Sequence, residues 1–453
     1  MNRDELRAHV DTIALVMMEN RSFDHLLGHL GLPKYGGRTD LEAIRDLGDP
    51  KLANPSRNGA MCGPYEMRDG PFASDLPHER SFVTTQLARA VALGGFAMNG
   101  FVRAYEASSG TTGTLTPPPM GVLTPADLPT TTFLAGEFMV CDHWFAPLPT
   151  STQPNRLMAF GGDTLLDVTH GGLMPDQELV FDWLTRHGIR WRIYAAGLSF
   201  FTLMRKMWPL LLSDRVRPLA RLSFDVQHEA DATWPQVIFI EPDYGDSPIH
   251  LSGHASDNHP PSPVAFGEQV LKQAYEALTS NEDRWGRMVL LLTYDEHGGF
   301  FDHVQPLPVP YAPPAGAQFA SFDSTGVRVP AIVISPFVGR GSASQRAFDH
   351  TSLLQLIAER FGDPGEPYSA TVAARARSGL SSLSAVLEAG LPSRAPPDPP
   401  DAMSLRATEL VTTRQPSTPL QSSFAAAIDA FTEAHGGEAM AKFPEIAHYH
   451  ATK

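Results

Sequence analysis

An aliphatic run that ends abruptly in ionisable residues is the stretch of this sequence best suited to chemistry. Residues 290–304 read LLLTYDEHGGFFDHV, so a segment typical of a buried strand runs into an Asp-Glu-His triplet at 295–297. Two glycines and two phenylalanines follow, and then a second acid–imidazole pair, Asp302 and His303. Carboxylates packed at this density repel one another unless a cation neutralises them. The composition therefore indicates a metal-binding or acid–base site at the end of a strand.

Two other aliphatic runs also end in acids. They are TIALVMM, followed by Glu19 and Asn20, and QVIFI, followed by Glu241 and Asp243. If these runs are parallel strands, their carboxyl ends lie at one edge of a sheet, where α/β proteins bind ligands. We therefore expect side chains from distant parts of the sequence to meet there.

The donors at these strand ends predict one divalent metal ion. Glu19, Asn20, Asp295 and Glu296 offer hard oxygen ligands of the kind that Mg²⁺, Mn²⁺ and Ca²⁺ prefer, and nearby histidines leave Zn²⁺ or Fe open. In the alternative interpretation each acid merely caps the helix that follows its strand. Three such strand ends in one chain favour the metal site.

A second set of candidate residues lies in APLPTSTQPNRLMAFGG, residues 146–162. Ser151 and Thr152 lie at the start of a predicted helix, where backbone N–H groups and the helix dipole stabilise anions. A hydroxyl at this position could attack an anionic centre. Asn155 and Arg156 add side-chain donors, and arginine can bind phosphate oxygens in bidentate fashion. The alternative is that the hydroxyl is a simple helix N-cap.

Two histidines in polar loops are candidates for proton transfer. His78 lies in SDLPHERSF close to Asp75, and His259 lies in SDNHPPSP close to Asp257. A single histidine of this kind is more often a surface or capping residue. The nearby acids and the predicted metal site raise the case for catalysis.

The elements that must position these residues predict an α/β fold. Short runs rich in Val, Ile and Leu indicate buried strands, and amphipathic stretches between them indicate helices. The predicted strands are Thr12–Met18, Gln236–Ile240, Met288–Tyr294 and Val329–Ser335, and the predicted helices are Phe82–Leu93, Val180–Gly188, Phe266–Ser280, Thr351–Gly362 and Ser422–Gly437. Alternation of the two predicts a doubly wound, mostly parallel sheet with helices on both faces and loop insertions.

Length and charge restrict the organisation and the partners. The 453 residues suffice for a main domain over 1–390, followed by a Pro-rich arm and a C-terminal helix over 391–453 that is expected to dock on it. A net charge of −15 without a basic tract argues against nucleic acid as a partner.

Two cysteines exclude a disulfide framework. No signal peptide or membrane-spanning segment is evident, which predicts a cytoplasmic protein, or a secreted one if a signal was removed.

Several motifs together resemble a family of bacterial phosphoesterases. MMENRSFDHLLG, LPTSTQPNR, DNHPP and TYDEHGGFFDHV are similar to the family that contains phosphatidylcholine-type phospholipase C and acid phosphatase, within the alkaline phosphatase/sulfatase superfamily. The resemblance spans residues 11–362 and is specific because the motifs are long and collinear. It implies an alkaline-phosphatase-like fold and hydrolysis of phosphate esters, either of phospholipids or of small soluble molecules.

The resemblance also implies roles for individual residues. Thr152 falls where the family carries a Ser or Thr nucleophile that also contacts the metal, although Ser151 departs from the usual Gly-Pro-Thr pattern. His259, and secondly His78, match histidines that contact phosphate oxygens or help the leaving group. The residues assigned to phosphate or substrate binding are Asn155, Arg156, Asp302 and His303. The implied mechanism proceeds through a phosphothreonine intermediate.

Other activities remain open at this point. A strict phosphomonoesterase would use the same chemistry on small soluble substrates, and Trp144, Phe145, Trp191 and Tyr194 are candidate aromatics for a choline-binding cage. A sulfatase is less favoured because TQPNR has threonine where that branch oxidises Cys or Ser. A non-catalytic metal- or ligand-binding protein is the alternative from a different class. The sequence does not identify the oligomeric state.

Overall fold

A central eight-stranded sheet organises the chain. The structure is a computed structural model, and it describes residues 1–70, 72, 74–90, 94–250, 253–391, 394–401 and 418–452. In chain order the strands are β1 (Thr12–Met18), β2 (Met139–Cys141), β3 (Trp191–Ala195), β4 (Val216–Pro218), β5 (Val237–Glu241), β6 (Met288–Tyr294), β7 (Ala331–Ile334) and β8 (Ala343–Ser344). Their spatial order is β4-β3-β5-β1-β6-β7-β2-β8.

Seven of these strands run in one direction, and β7 runs against them. The prediction of a mostly parallel α/β sheet is therefore confirmed. The expectation of a parallel strand at Val329–Ser335 is wrong, because β7 pairs antiparallel with both of its neighbours. A four-residue apolar run is buried in either direction, so its composition carries no information about polarity.

The centre of the sheet is buried on both faces. Every residue of β1, β5 and β6 is buried. Because successive side chains of a strand point to opposite faces, helices and loops must cover both sides. In β1 and β6, Met18 pairs with Tyr294, so the residues that follow these strands leave the sheet at the same level.

Helices occupy most of the predicted positions. The α-helices are Arg3–His9, Phe23–Leu27, Arg80–Leu87, Phe101–Ser109, Pro129–Glu137, Thr152–Gly161, Val180–Arg186, Trp208–Leu211, Leu222–His228, Ala265–Thr279, Glu282–Trp285, Thr351–Phe361, Ala370–Arg377, Pro419–Lys442 and Pro444–Thr452. The helix predicted at Phe82–Leu93 ends early: Ala88 has a positive φ of 48°, and Arg89–Ala90 pairs with Gly95–Phe96 in a short ribbon. Residues 91–93 of that prediction lie outside the described residues.

Further short two-stranded ribbons lie outside the main sheet. They are Asn54–Pro55 with Met61–Cys62, Tyr65–Glu66 with Gly121–Val122, and Trp144–Phe145 with Phe348–Asp349. Cys62 and Cys141 are buried and form no disulfide. None of the helices in the described part of the chain combines the length and the apolar character that a bilayer span needs.

The C-terminal helix Pro419–Lys442 packs on the body of the protein. It is longer than the predicted Ser422–Gly437, and Gly436 breaks its regular geometry with φ 48°. Phe424 is fully buried, with its ring 5.9 Å from that of Tyr244. In the Pro-rich arm, Tyr275 donates a 2.7 Å hydrogen bond to the carbonyl of Pro397. The division at residue 390 stays a prediction.

Candidate active site

The segment after β1 brings the first predicted ligands to the sheet edge. Glu19 and Asn20 are fully buried, and the Asn20 N–H donates a 3.0 Å hydrogen bond to Asp295 Oδ1. Asn20 has a φ of 61°, in the left-handed region that asparagine tolerates. A Cβ at Gly298 would lie 2.1 Å from the Asn20 carbonyl oxygen, so the two segments approach this closely only with glycine at 298.

The segment after β6 provides the second pair of acids. Asp295 Oδ1 also accepts a 2.7 Å hydrogen bond from the Glu296 N–H. Glu296 Oε2 accepts a 2.8 Å bond from the Gly298 N–H, whereas Glu296 Oε1 is buried without a hydrogen-bond partner. The strand register and these bonds place Glu19, Asn20, Asp295 and Glu296 together.

The two neighbouring hydroxyls at the start of helix Thr152–Gly161 have different surroundings. Ser151 is completely buried, its Oγ donates to Glu79 Oε2 over 3.0 Å, and it accepts a 2.9 Å bond from the Thr169 N–H. Thr152 Oγ1 points to Asn20 Oδ1 at 3.5 Å. Thr152 therefore faces the acids at the sheet edge, and Ser151 is used in holding the loop.

Arg156 and Asn155 have roles that differ from the predicted contact with phosphate. Arg156 Nη2 lies 3.0 Å from Glu19 Oε1, and its Nε donates over 3.3 Å to Asp295 Oδ2, so it bridges two predicted metal ligands. Asn155 Oδ1 accepts from the Leu148 N–H over 2.9 Å. The Asn155 amide nitrogen donates to backbone carbonyls of the preceding turn, including that of Thr150 at 2.8 Å. The Asn155 amide thus fixes the turn and is not directed at a ligand.

Both predicted catalytic histidines line the same site. His259 Nδ1 lies 3.0 Å from Asp246 Oδ2 and 4.0 Å from Glu19 Oε2, and its buried Nε2 lies 3.4 Å from Asp75 Oδ1. His78 Nε2 lies 3.4 Å from Asn20 Nδ2 and 3.9 Å from Glu296 Oε1. The two imidazole rings are 6.1 Å apart.

Neighbouring carboxylates determine the charge of these histidines. Burial alone would lower the pKa of His78, but Glu296 and Asp75 outweigh it and raise that pKa to about 9. Burial likewise opposes protonation of His259, yet Asp75 and Asp246 raise its pKa well above the usual value. These neighbouring carboxylates therefore favour the protonated form of both rings.

Asp246 is a site residue that the sequence reasoning missed. It follows β5 by five positions, in the loop EPDYGDS, and it is buried beside His259. The available signal was a third acid after the β5 run, beyond Glu241 and Asp243. Glu241 instead accepts hydrogen bonds from the Phe200 N–H and the Tyr244 hydroxyl.

The unsatisfied oxygens of the site fit a cation. Glu19 Oε1 is in an ion pair with Arg156 at 3.0 Å, whereas Glu19 Oε2 and Glu296 Oε1 are buried and accept no hydrogen bond. Burial raises the pKa of Glu19 well above its usual value and that of Asp295 to about 6, although Arg156 opposes both shifts. Arg156 pairs with Glu19 and Asp295, but the free oxygens, Glu19 Oε2 and Glu296 Oε1, leave the hydrogen-bonding requirement of these buried acids partly unmet. A hard divalent ion would satisfy it.

Other acid and imidazole groups could also take part in metal binding. Among the described residues, three groups have ligand atoms within 4.8 Å of one another: Glu19 with Asp246 and His259, Asp75 with His78 and His259, and Asp24 with Asp302 and His303. The first group shares Glu19 with the predicted ligand set. Asp295 and Glu296 belong to none of the three groups, so the number of ions is not defined by this geometry.

Asp302 and His303 lie in a different cluster from Thr152. His303 Nδ1 contacts Asp24 Oδ2 at 2.6 Å, and Asp302 Oδ1 accepts a 3.1 Å bond from Arg328 Nε. Arg328 is fully buried and also pairs with Asp24. Their predicted role in phosphate binding is not supported, because internal ion pairs occupy these side chains.

The aromatic residues considered for a choline cage are core residues. Trp144, Phe145, Trp191 and Tyr194 are all buried, with at most 3% of their surface exposed. Trp144 stacks on Phe348 at 5.5 Å and donates its indole N–H to His350 Nδ1. A ligand cannot reach these rings without displacing the core.

Comparison with known proteins identifies the class. The model of the Phosphoesterase family matches residues 10–364, so the chain belongs to this family. Non-specific phospholipase C3 of Arabidopsis thaliana is 32% identical over 392 residues, which cover 78% of this chain and 69% of that protein. Non-hemolytic phospholipase C of Burkholderia pseudomallei is 32% identical over 78% of this chain and 55% of its own length. Phospholipase C A of Mycobacterium tuberculosis is 30% identical over 78% and 73%. The chain is therefore a phosphoester hydrolase.

Proposed function

We propose that this chain hydrolyses phosphate esters of the phospholipase C or acid phosphatase type, with Thr152 as the nucleophile. The observation that carries the proposal is the position of the Thr152 hydroxyl. It lies at the first turn of a ten-residue helix, 3.5 Å from Asn20 Oδ1 and beside buried carboxylates without hydrogen bonds. The neighbouring hydroxyl of Ser151 is already bonded to Glu79 and Thr169.

The residues that would hold a divalent ion are Glu19, Asn20, Thr152, Asp295 and Glu296. Such an ion lowers the pKa of a hydroxyl and offsets the charge that develops on the phosphoryl oxygens. The buried, unsatisfied oxygens of Glu19 and Glu296 support this assignment. Oxygen donors suit Mg²⁺, Mn²⁺ or Ca²⁺, and the adjacent His259 keeps Zn²⁺ open; elemental analysis of the purified protein would distinguish these ions.

The reaction then has two displacements. Thr152 Oγ1 releases its proton to solvent and forms a bond to phosphorus as the bond to the alcohol oxygen breaks in line, and the alcohol takes a proton from His259 Nε2. That nitrogen is the best placed donor because Asp246 lies 3.0 Å from Nδ1 and orients the ring, while Asp75 Oδ1, 3.4 Å from Nε2, favours a proton on Nε2. In the second step water attacks the phosphothreonine, one proton of the water returns to His259, and the Thr152 hydroxyl is regenerated. The proton released by Thr152 is regained from solvent when its hydroxyl is regenerated. His78 is the second candidate for the proton transfer.

The names of the relatives favour a phospholipid diester as the substrate. Each of the three relatives described above is called a phospholipase C. Parallel assays with phosphatidylcholine vesicles, p-nitrophenylphosphorylcholine and p-nitrophenyl phosphate separate the two substrate classes. Turnover of the monoester alone would identify a strict phosphomonoesterase instead.

Substitution of the two adjacent hydroxyls tests the nucleophile. We expect Thr152→Ala to lower kcat by on the order of 10³-fold or more while metal content is retained, because Glu19, Asn20, Asp295 and Glu296 remain. The matched control is Ser151→Ala, which should keep kcat within tenfold and reduce stability by about 1–2 kcal/mol, since Glu79 and Thr169 lose a buried partner. Rapid acid quench and mass spectrometry of the wild type should find phosphocholine on Thr152 with a phosphatidylcholine or p-nitrophenylphosphorylcholine substrate, and phosphate on Thr152 with p-nitrophenyl phosphate. Retained turnover in Thr152→Ala would reject the assignment.

A further inference from the structure

The C-terminal helix Pro419–Lys442 reaches the active site although it lies outside the matched residues 10–364. Its first two turns contact groups that are themselves bonded to the proposed nucleophile, proton donor and metal ligands. Three separate contacts make this connection, and they involve Thr418, Ser423 and Phe424.

The first contact holds the residue next to the nucleophile. Gln153 Nε2 donates a 2.9 Å hydrogen bond to Ser423 Oγ, and Gln153 Oε1 accepts a 2.9 Å bond from the His170 N–H. Ser423 is fully buried, and its hydroxyl in turn donates to the His170 carbonyl over 2.6 Å. Because Gln153 directly follows Thr152, the helix and the loop at 170 together set the position of the first helical turn that carries the nucleophile.

The second contact reaches the proposed proton donor. Thr418 is the N-cap of the C-terminal helix, and its hydroxyl donates a 2.5 Å hydrogen bond to Asp246 Oδ1. The other oxygen of this carboxylate lies 3.0 Å from His259 Nδ1. Thr418 thus fixes the rotation of the carboxylate that orients the His259 ring.

The third contact supports the arginine between the acids. The Phe424 ring packs against Tyr244 at 5.9 Å and Phe200 at 6.5 Å. These same two rings stack on the Arg156 guanidinium at 4.9 and 5.0 Å, and the Tyr244 hydroxyl accepts a 3.0 Å bond from Arg156 Nη1. Phe424 therefore closes the aromatic wall that holds Arg156 against Glu19 and Asp295.

We propose that Thr418, Ser423 and Phe424 are positioning residues, which makes the C-terminal helix part of the catalytic apparatus and not merely a stabilising element. The distal half of the same helix provides the contrast, because Phe431 packs on Trp208 and Phe443, away from every site residue named above. Small displacements of a reacting group cost large factors in rate, so loss of these contacts should lower turnover more than stability alone explains. The inference rests on the proposed roles of Thr152 and His259.

The experiment compares full-length variants that differ in which half of the helix they disturb. Thr418→Val, Ser423→Ala and Phe424→Leu are expected to lower kcat on the order of ten- to a hundredfold with KM changed less than threefold. Thr418→Ser should retain the wild-type kcat because it keeps the hydroxyl that donates to Asp246. Assays use the substrate that the wild type turns over, well below each unfolding midpoint.

Two controls separate positioning from stability. Gln421→Ala removes the other half of the capping box at Thr418, and Phe431→Leu disturbs the distal packing; both should lower the unfolding midpoint with kcat within twofold of wild type. The proximal variants are Thr418→Val, Ser423→Ala and Phe424→Leu. The inference is overturned if their kcat values equal those of the two controls when the loss of unfolding free energy is the same. Thr152→Ala is assayed in parallel: its retained activity rejects the nucleophile, whereas an inactive Thr152→Ala beside fully active proximal variants rejects the positioning role alone.

Discussion

Two buried clusters of acids and histidines arise from the same two chain segments, yet they differ in whether their oxygens are satisfied. Residues 19–24 and 295–303 contribute to both. In the active-site cluster, Glu19 Oε1 contacts Arg156 at 3.0 Å, but Glu19 Oε2 and Glu296 Oε1 accept no hydrogen bond. In the second cluster, Asp24 and Asp302 receive hydrogen bonds at all four oxygens.

In the second cluster, the Arg328 guanidinium compensates the negative charge of the two aspartates. This guanidinium contacts Asp24 and Asp302 at 3.1 Å each and also donates to the carbonyls of Glu42 and Asp142. Burying a charge is costly unless it is paired, so such a network mainly holds its two segments together. The unsatisfied cluster instead keeps charge available for a ligand. Similar residue types thus serve structure in one place and chemistry in the other.

The largest effect that this comparison predicts is on turnover, at Glu19. We expect Glu19→Gln to lower kcat on the order of 10³-fold and to weaken metal binding, since the variant loses a charged ligand. Without metal its stability should be unchanged or higher, because burial raises the pKa of Glu19 and the ionised carboxylate is unfavourable there. Steady-state kinetics, metal titration and urea unfolding in EDTA measure these effects. If metal-free Glu19→Gln had a clearly lower unfolding free energy than metal-free wild type, Glu19 would contribute to stability as Asp302 does, and the proposed difference between the two clusters would be wrong.

The second prediction concerns stability, at Asp302. At pH 8, Asp302→Asn should destabilise the fold by about 1–3 kcal/mol, because it leaves the buried Arg328 with one carboxylate fewer; burial, which raises the pKa of Asp302 to about 6, keeps the loss below that of a freely ionised pair. The kcat of the folded variant should change less than threefold. Adding Arg328→Met in a double-mutant cycle should recover part of the loss, which identifies the pair as the cause. If Asp302→Asn raised KM strongly at unchanged stability, the sequence-based assignment to phosphate binding would be correct after all.

The strand ends were predictable from sequence because two rules act together. A continuous aliphatic run such as β6 is buried, and parallel strands bring their ends to one edge, so Glu19 and Asp295 could be placed together before any coordinates. The paired register of Met18 and Tyr294 is the physical basis of that success. The choice of Thr152 over Ser151 came from the motif resemblance and not from the pattern of hydroxyls, and it stays a prediction.

Roles set by long-range partners were not predictable. Asp302 has the same residue type as Asp295 and lies in the segment that follows β6, but its contact with the buried Arg328 gives it a structural environment. The sequence suggested Asn155 as a phosphate ligand because an amide side chain can donate to phosphate. Its hydrogen bonds to the preceding turn depend on the path of the chain, so composition alone could not reveal them. The direction of β7 and the contacts of the C-terminal helix depend in the same way on tertiary packing.

The smallest predicted effect is a pH dependence in the second cluster, at His303. Burial alone would lower the pKa of His303, but Asp24 outweighs it and raises the pKa above the usual value. A base with a raised pKa binds its proton more tightly in the folded state, so its stabilisation is complete below about pH 6.5 and is lost as pH rises through the folded pKa. His303→Gln should therefore flatten the fall of unfolding free energy above pH 6.5, measured by urea unfolding in steps of half a pH unit. His29→Gln is the control of opposite sign. Burial lowers the pKa of His29 to about 4, so the contribution of His29 to the unfolding free energy changes only as pH falls from about 6.5 to 4. An unchanged slope in His303→Gln would mean that the pair of His303 and Asp24 does not carry charge in the folded protein.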